Sequence, residues 1–270
     1  MDPFNKLLRL FIDSQIKLSG WFDRLLPVKF RIDGYEDTAQ SVIPKYLRGN
    51  SVIYDIGGGK NPYMTTDLKA KFENCYVIGL DIDEYELRSA PDGIYDKAIA
   101  ADIANYDGHK DGDLVICLAL LEHVKNVKAG LRGIASCLKS QGYVCIFVPS
   151  KNALYARMNL ILPERVKRLI LTSLFPHTRE LHGFPAYYDH CTPQDIRHIV
   201  QTMGFEVVEE RHYYISSYFS IFFPLYILWR IYLLVFHYIA REQAAETFGM
   251  VLKKQSNELL EKSGSNVSDC

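Results

Sequence analysis

The polarity pattern opens with apolar residues at helical spacing. Phe4, Leu7, Leu8, Phe11, Ile12, Leu18, Phe22 and Leu25 predict one amphipathic helix over residues 3–26, ended by Pro27, with Gly20 its weakest point. From residue 51 the period changes to short β-branched runs. Val52, Ile53, Tyr54 and Ile56 predict a first strand, "CYVIGLDID" a second ending at Asp81 and "DKAIAADI" a third ending at Asp102. "DLVICLALLEHV" predicts a fourth ending near Leu118, and "GYVCIFVPS" a fifth. Segments 63–74, 84–90 and 126–140 are long enough for crossover helices. This alternation predicts an α/β, doubly wound parallel sheet with its ligand at the carboxyl ends of the strands. Thr192, Pro193 and Asp195 then open a helix that stops at Gly204. "FEVVEERHY" and "ETFGMVLKK" are expected as strands six and seven, and residues 255–270 as a loose polar tail. Segments 151–190 and 213–240 exceed what a minimal sheet needs.

Composition narrows the reading. The 270 residues are 48% apolar, enough for a full core, and a net charge of -1 gives no general attraction to nucleic acid, which is not expected as a partner. Six cysteines, Cys75, Cys117, Cys137, Cys145, Cys191 and Cys270, form no CxxC pair and point to a reducing compartment without a zinc site. Lys6, Arg9, Asp13, Lys17, Asp23 and Arg24 interrupt the apolar N-terminal stretch, so it does not read as a secretory signal, and a cytoplasmic location is expected.

Chemistry enters with Gly57, Gly58 and Gly59, placed directly after the first strand in "SVIYDIGGGKNPY". Such a loop allows close backbone approach to a nucleotide-type ligand. One reading is a dinucleotide site with G-x-G-x-x-G spacing, in which Pro62 replaces the third small residue. The other is a strand-end acid followed by G-x-G, here Asp55, Gly57 and Gly59. With Asp81 and Asp102 ending the next two strands, the chain resembles the class I S-adenosylmethionine (SAM)-dependent methyltransferases, of the type 11/12-like kind, over roughly residues 45–254. That resemblance implies a seven-stranded, mostly parallel Rossmann-like sheet with its last strand antiparallel, and SAM as cofactor. It implies that Asp81 holds the ribose hydroxyls, with Ile82 beside it, and that Asp102 accepts from the adenine amino group, with Ile103 against the ring. Asp55 and the glycines would orient the methionine moiety, and Leu118 would pack on cofactor and substrate. Asn61 departs from a frequent third glycine of the family. An NAD(P)-binding oxidoreductase and an inactive, membrane-bound scaffold of the same fold remain the alternatives.

For a hydroxyl acceptor a general base is expected, and the histidine-bearing stretch "PHTRELHGFPAYYDHCTP" supplies His182 or His190, with His177, Tyr187, Asp189 and the separate His123 as further candidates. "ALLEHV" resembles the E-x-x-E-H metal segment of some quinone-type O-methyltransferases, but Ala119 stands at its first acidic position, so no metal is expected.

Residues 213–240 are long and apolar enough to suggest a transmembrane helix. Strands six and seven flank them, however, so the chain must leave and re-enter on one side. Pro224 and Arg230 fall inside the run. A bent, shallow hairpin in one leaflet is expected, at the cytoplasmic face of a membrane, with a core or dimer-forming helix pair as the alternative. Between Lys151 and Arg179 basic residues dominate and Glu164 is the lone acid, a face suited to anionic headgroups or a phosphate-bearing substrate. The expected organisation is an N-terminal helix and cap over 1–44 and a methyltransferase domain over 45–254, containing an acceptor lid (151–190) and the membrane-associating insertion. The expected activity is O-methylation of a hydroxyl on a membrane-borne or lipid-linked acceptor, N-methylation being the nearest variant.

Overall fold

The computed structural model describes residues 3–163, 184–216 and 218–256. Seven strands form one sheet in the order β3-β2-β1-β4-β5-β7-β6: β1 Val52–Ile56, β2 Tyr76–Asp81, β3 Lys97–Ala100, β4 Gly112–Leu118, β5 Leu138–Pro149, β6 Phe205–Tyr213 and β7 Thr247–Lys254. The first five are mutually parallel, while β7 runs antiparallel to both β5 and β6. The expected sheet and its antiparallel last strand are therefore present. β3 stops two residues short of Asp102, which lies in the following turn.

The central strands bury both faces, which is why they read as unbroken apolar runs. On one side Tyr54, Val115, Cys117, Ile146 and Val148 pack under α5 (Val127–Cys137) and α7 (Pro193–Thr202). On the other, Ile53, Leu114, Ile116 and Cys145 pack against Val42, Ile43 and Leu47, which follow the short helix α2 (Gly34–Asp37). The connections α3 (Thr66–Lys71) and α4 (Glu84–Arg88) are short, while α6 (Leu154–Ile161) opens the segment after β5. The signal for α7 is met as written, since the Thr192 hydroxyl accepts from the Asp195 N–H at 3.1 Å and Gly204 ends the helix at φ 79°.

Two expectations need correction. The N-terminal helix α1 (Pro3–Asp23) runs unbroken through Gly20, where nothing packs closely enough to bend it. The insertion is not a hairpin but one helix, α8 (Phe223–Ala240), because Pro224 sits in its first turn, where a missing N–H costs nothing.

α1 and α8 pack together with polar groups of α1 and Arg230 of α8 in their shared seam, beside the apolar cluster of Tyr226, Trp229 and Leu233. Gln15, Ser19 and Asp23, spaced four apart on one stripe of α1, face inward. The Gln15 side chain accepts from the Phe223 N–H at 3.1 Å, capping α8, and the Ser19 hydroxyl donates to the Ser220 carbonyl at 3.1 Å. Asp23 pairs with the fully buried Arg230 at 2.6 Å and accepts from the Tyr226 hydroxyl. Arg230 also donates to the carbonyls of Tyr214 and Phe30 and stacks on Tyr226 and Trp229, so every direction of its guanidinium is used. Large apolar residues are exposed on the outward side: Leu7, Leu10, Phe11, Leu18 and Trp21 on α1, Leu25 just after it, and Leu225, Leu228, Ile231, Val235 and Ile239 on α8.

Candidate active site

The glycine loop closes the end of β1 onto β2. Gly57 donates to the Leu80 carbonyl at 2.8 Å, and Gly57 and Gly59 take φ of 80° and 48°, a region that penalises side chains. Gly58 is needed for space instead, since a Cβ there would lie 2.7 Å from Asp55 Oδ1 and 2.8 Å from the Tyr95 hydroxyl. The Tyr95 hydroxyl in turn donates to the Gly59 carbonyl at 3.1 Å. What lies against the three glycines within the chain is thus Leu120, Asp55, Tyr95, Glu86 and Asp81.

Asp55 is buried and accepts from the Tyr63 N–H at 2.7 Å. Burial pushes its carboxyl up to about 7, with the nearby Asp81 charge adding to the shift. Asp81 is raised as well, by burial and by the charges of Asp83 and Glu86, and its Oδ1 accepts from the Asp83 N–H at 3.0 Å. Lys60 pairs with Glu86 at 3.0 Å at the mouth of this cluster. Carboxylates at the loop suit a ligand with cationic groups, such as a sulfonium and an α-ammonium, and a ribose diol that donates hydrogen bonds.

They do not suit a pyrophosphate. A dinucleotide site needs a helix N-terminus directly behind the glycines, and here α3 begins only at Thr66. The oxidoreductase alternative lacks that anion site.

Asp102 lies in the turn just after β3 and accepts from the Ala104 N–H at 2.9 Å and from the Asn105 amide at 3.0 Å. Ile82 is 61% exposed beside Asp81, open to a ligand face. Ile103 is placed differently: its side chain is buried in the core against Gly130 and Gly133 of α5, which leaves no free ring-stacking surface. Leu118 is half-buried at the end of β4, and the next residue, Ala119, takes φ 52° as the chain turns away.

Of the candidate histidines, His123 and His190 are among the described residues. His182 and His177 lie outside the described residues, as does most of the basic stretch beyond residue 163. His190 is solvent-exposed in a turn before α7, 3.7 Å from Asp189, whose other oxygen caps α5 through the Val127 N–H. His123 faces the Pro185 carbonyl at 3.0 Å and the Phe184 ring.

Sequence reasoning passed over two features here. α2 carries Tyr35 across the strand ends, where it meets Phe147 edge-on at 5.8 Å and its hydroxyl is raised by burial and by the Asp55 charge. Asp33 and Glu36 bear the cap signal that could have located this helix, the Asp33 carboxylate accepting from the Glu36 N–H at 2.9 Å. The second is Glu122 of "ALLEHV", buried with its Oε2 lacking any hydrogen-bond partner.

A family model described as a methyltransferase domain matches residues 30–210. No curated protein sequence matches the chain. Among solved structures, a SAM-dependent methyltransferase from Mesorhizobium loti is similar at 16% identity and a TM-score of 0.50, over 77% of this chain and 93% of that one. One from Methanosarcina mazei is similar at 16% identity and a TM-score of 0.50, over 80% and 97%. Phosphoethanolamine N-methyltransferase 2 from Haemonchus contortus, in complex with SAM, is similar at 16% identity and a TM-score of 0.52, over 90% of this chain and 57% of that one. At such identities the likeness establishes the fold. Together with the strand-end acids, the glycine loop and the family model covering two thirds of its length, it leads to one conclusion: the chain belongs to the class I SAM-dependent methyltransferases.

Proposed function

We propose that this methyltransferase modifies a hydroxyl on a membrane-borne acceptor, a lipid or lipid-linked saccharide, reached from the cytoplasmic face. SAM supplies a methyl group activated on a sulfonium. Asp81 accepts from its ribose hydroxyls with Ile82 alongside, Asp102 accepts from the adenine amino group, and Asp55 with Gly57 and Gly59 orients the methionine end. Leu118 packs between donor and acceptor.

The observation that carries the membrane part is the row of large apolar residues exposed on α1 and α8 while polar groups of α1 turn inward. A surface helix of a water-soluble domain buries its apolar stripe and exposes its polar one. Here Gln15, Ser19 and Asp23 are turned inward, while Leu228 on α8 is 64% exposed and Trp21 on α1 57% exposed. α8 is the one helix among the described residues long and apolar enough to cross a membrane, and little of it is buried. Tyr213, ending β6 before it, and Thr247, starting β7 after it, are paired in the sheet, so the chain leaves and returns at one place and the helix lies along one leaflet rather than through it.

Flotation with phosphatidylcholine–phosphatidylglycerol vesicles tests this. The wild type should float. Replacing Leu225, Leu228, Ile231 and Val235 by Ser removes about 2 kcal/mol of apolar burial per side chain and should leave the protein at the bottom of the gradient with SAM binding intact. A variant that still floats, or a wild type that stays soluble and methylates a water-soluble acceptor equally well without lipid, would overturn the reading.

A further inference from the structure

Glu122 sits on the single helical turn directly after β4, two residues past Leu120, whose side chain packs on Gly57 of the glycine loop. It is only 4% exposed. Its backbone carbonyl accepts both the Tyr187 and Tyr188 N–H groups, at 2.7 and 3.0 Å, which fastens it to the segment leading from the lid into α7. Around its carboxyl stand Tyr155 of α6, Tyr188 and Cys191 of that segment, Tyr218 before α8, and Cys117 of β4. His123 is the neighbouring base, at 3.7 Å from Oε1. Tyr155 and Tyr218 stack at 4.6 Å, so the post-β5 lid and the entrance to the membrane-facing helix meet above this acid.

None of these groups satisfies it. The Tyr155 hydroxyl donates to the Glu246 carbonyl at 3.1 Å, Tyr188 engages Asn159, and Glu122 Oε2 is left buried without a partner. An orphaned buried carboxyl oxygen costs stability, and such groups concentrate where a ligand completes them. Cys117 feels the charges of both Glu122 and Asp55, so the two acids flank one strand end, Asp55 on the donor side and Glu122 on the lid side.

We infer that Glu122 is the general base and polar anchor of the acceptor pocket, receiving the proton of a neutral hydroxyl head as that oxygen takes the methyl group. The acceptor O–H bond breaks toward Glu122 Oε2, the oxygen–carbon bond forms, and the bonding pair of the sulfur–methyl bond stays on sulfur, leaving a neutral thioether. This rests on the hydroxyl-acceptor reading above and places the base on Glu122 instead of His182 or His190. Burial holds the Glu122 carboxyl up at about 8, near the range in which a base both ionises and accepts effectively.

The first part of the test needs no acceptor. Infrared difference spectra should show a protonated-carboxyl band that titrates near this value and is missing in Glu122→Gln. SAM, whose sulfonium is cationic, should lower that titration by about one unit or more, whereas its neutral demethylated product should not. Calorimetry on the same samples separates the two readings: no binding of either ligand overturns the donor site itself, while SAM binding with an unshifted band overturns the Glu122 assignment alone. With methyl-labelled SAM and a total lipid extract from expressing cells, Glu122→Gln should lose label transfer about 100-fold at unchanged SAM affinity, and the rise of wild-type rate with pH should disappear. Wild-type transfer in that variant would also overturn the assignment.

Discussion

At the scale of single residues, the fold holds several buried acids against their preference. Asp55 (raised to about 7) and Asp81 at the strand ends, Glu122 (about 8), and Glu246 (about 7) beside Trp229 all keep their protons more tightly in the fold than in the unfolded chain, chiefly through burial. Between the unfolded carboxylate range and these values the native state holds more protons, so stability falls as pH rises from about 5 to about 8. Asp37, Glu209 and Glu210 are lowered overall, by hydrogen bonds and charges from Arg211, Lys45, His212 and Arg197 that outweigh burial, and they lose their contribution only under more acidic conditions. Urea unfolding at pH 5 and pH 8 should show the ligand-free protein weaker at the higher pH, and Asp55→Asn should reduce the difference while keeping the Tyr63 hydrogen bond. Asp81→Ala removes a carboxylate that can take both ribose hydroxyls. At about 1.5 kcal/mol or more for each charge-assisted bond, SAM affinity should fall about 100-fold in calorimetry, with the fold intact.

Between elements, the decisive contact is the one that fastens α1 to α8. Arg230 on an otherwise apolar helix would be costly alone, but Asp23 and Tyr226 complete it from inside the helix pair. Asp23→Ala leaves that guanidinium buried without its counter-charge, a loss of about 3–5 kcal/mol. Denaturant midpoints should drop accordingly, and limited proteolysis should cut within α1. The double change Asp23→Leu with Arg230→Met should recover most of the stability, because an apolar pair of similar volume removes the desolvation problem. If Asp23→Ala is as stable as the wild type, the ion pair does not hold the two helices together.

For the molecule as a whole, the exposed apolar residues are rimmed by Lys6, Arg9 and Lys17 on α1 and Arg24 just after it, with Asp13 the exposed acid among them. Vesicles containing phosphatidylglycerol should therefore bind the protein more tightly than phosphatidylcholine alone. Raising the salt from about 0.1 M to about 1 M, which shortens the screening length from roughly 10 Å to 3 Å, should remove most of that preference and leave the apolar component. Equal binding to both lipids at low salt would remove the electrostatic part of the proposal.

Local patterns were legible in the sequence because their causes are local. Alternating short apolar runs and glycine or proline punctuation mark the strands, and acids at the ends of β1 and β2, the first of them beside a glycine turn, mark the candidate donor side, so Asp55, Gly57, Gly59 and Asp81 fall at the strand ends where the chain alone places them. The cap at Thr192 and the stop at Gly204 are of the same kind. What required the tertiary structure is everything set by packing between distant segments. Ile103 follows a strand-end acid as expected, yet α5 claims its side chain. Arg230 reads as a flaw in an apolar run until Asp23, 207 positions away in the chain, arrives to pair with it. Glu122 sits in "ALLEHV" as an ordinary acid after a strand, and only the convergence of α6, the 184–192 segment and Tyr218 buries it. The composition of α1 shows two faces but not which of them turns inward, because amphipathicity is a property of one helix, whereas its direction is decided by the partner it packs against.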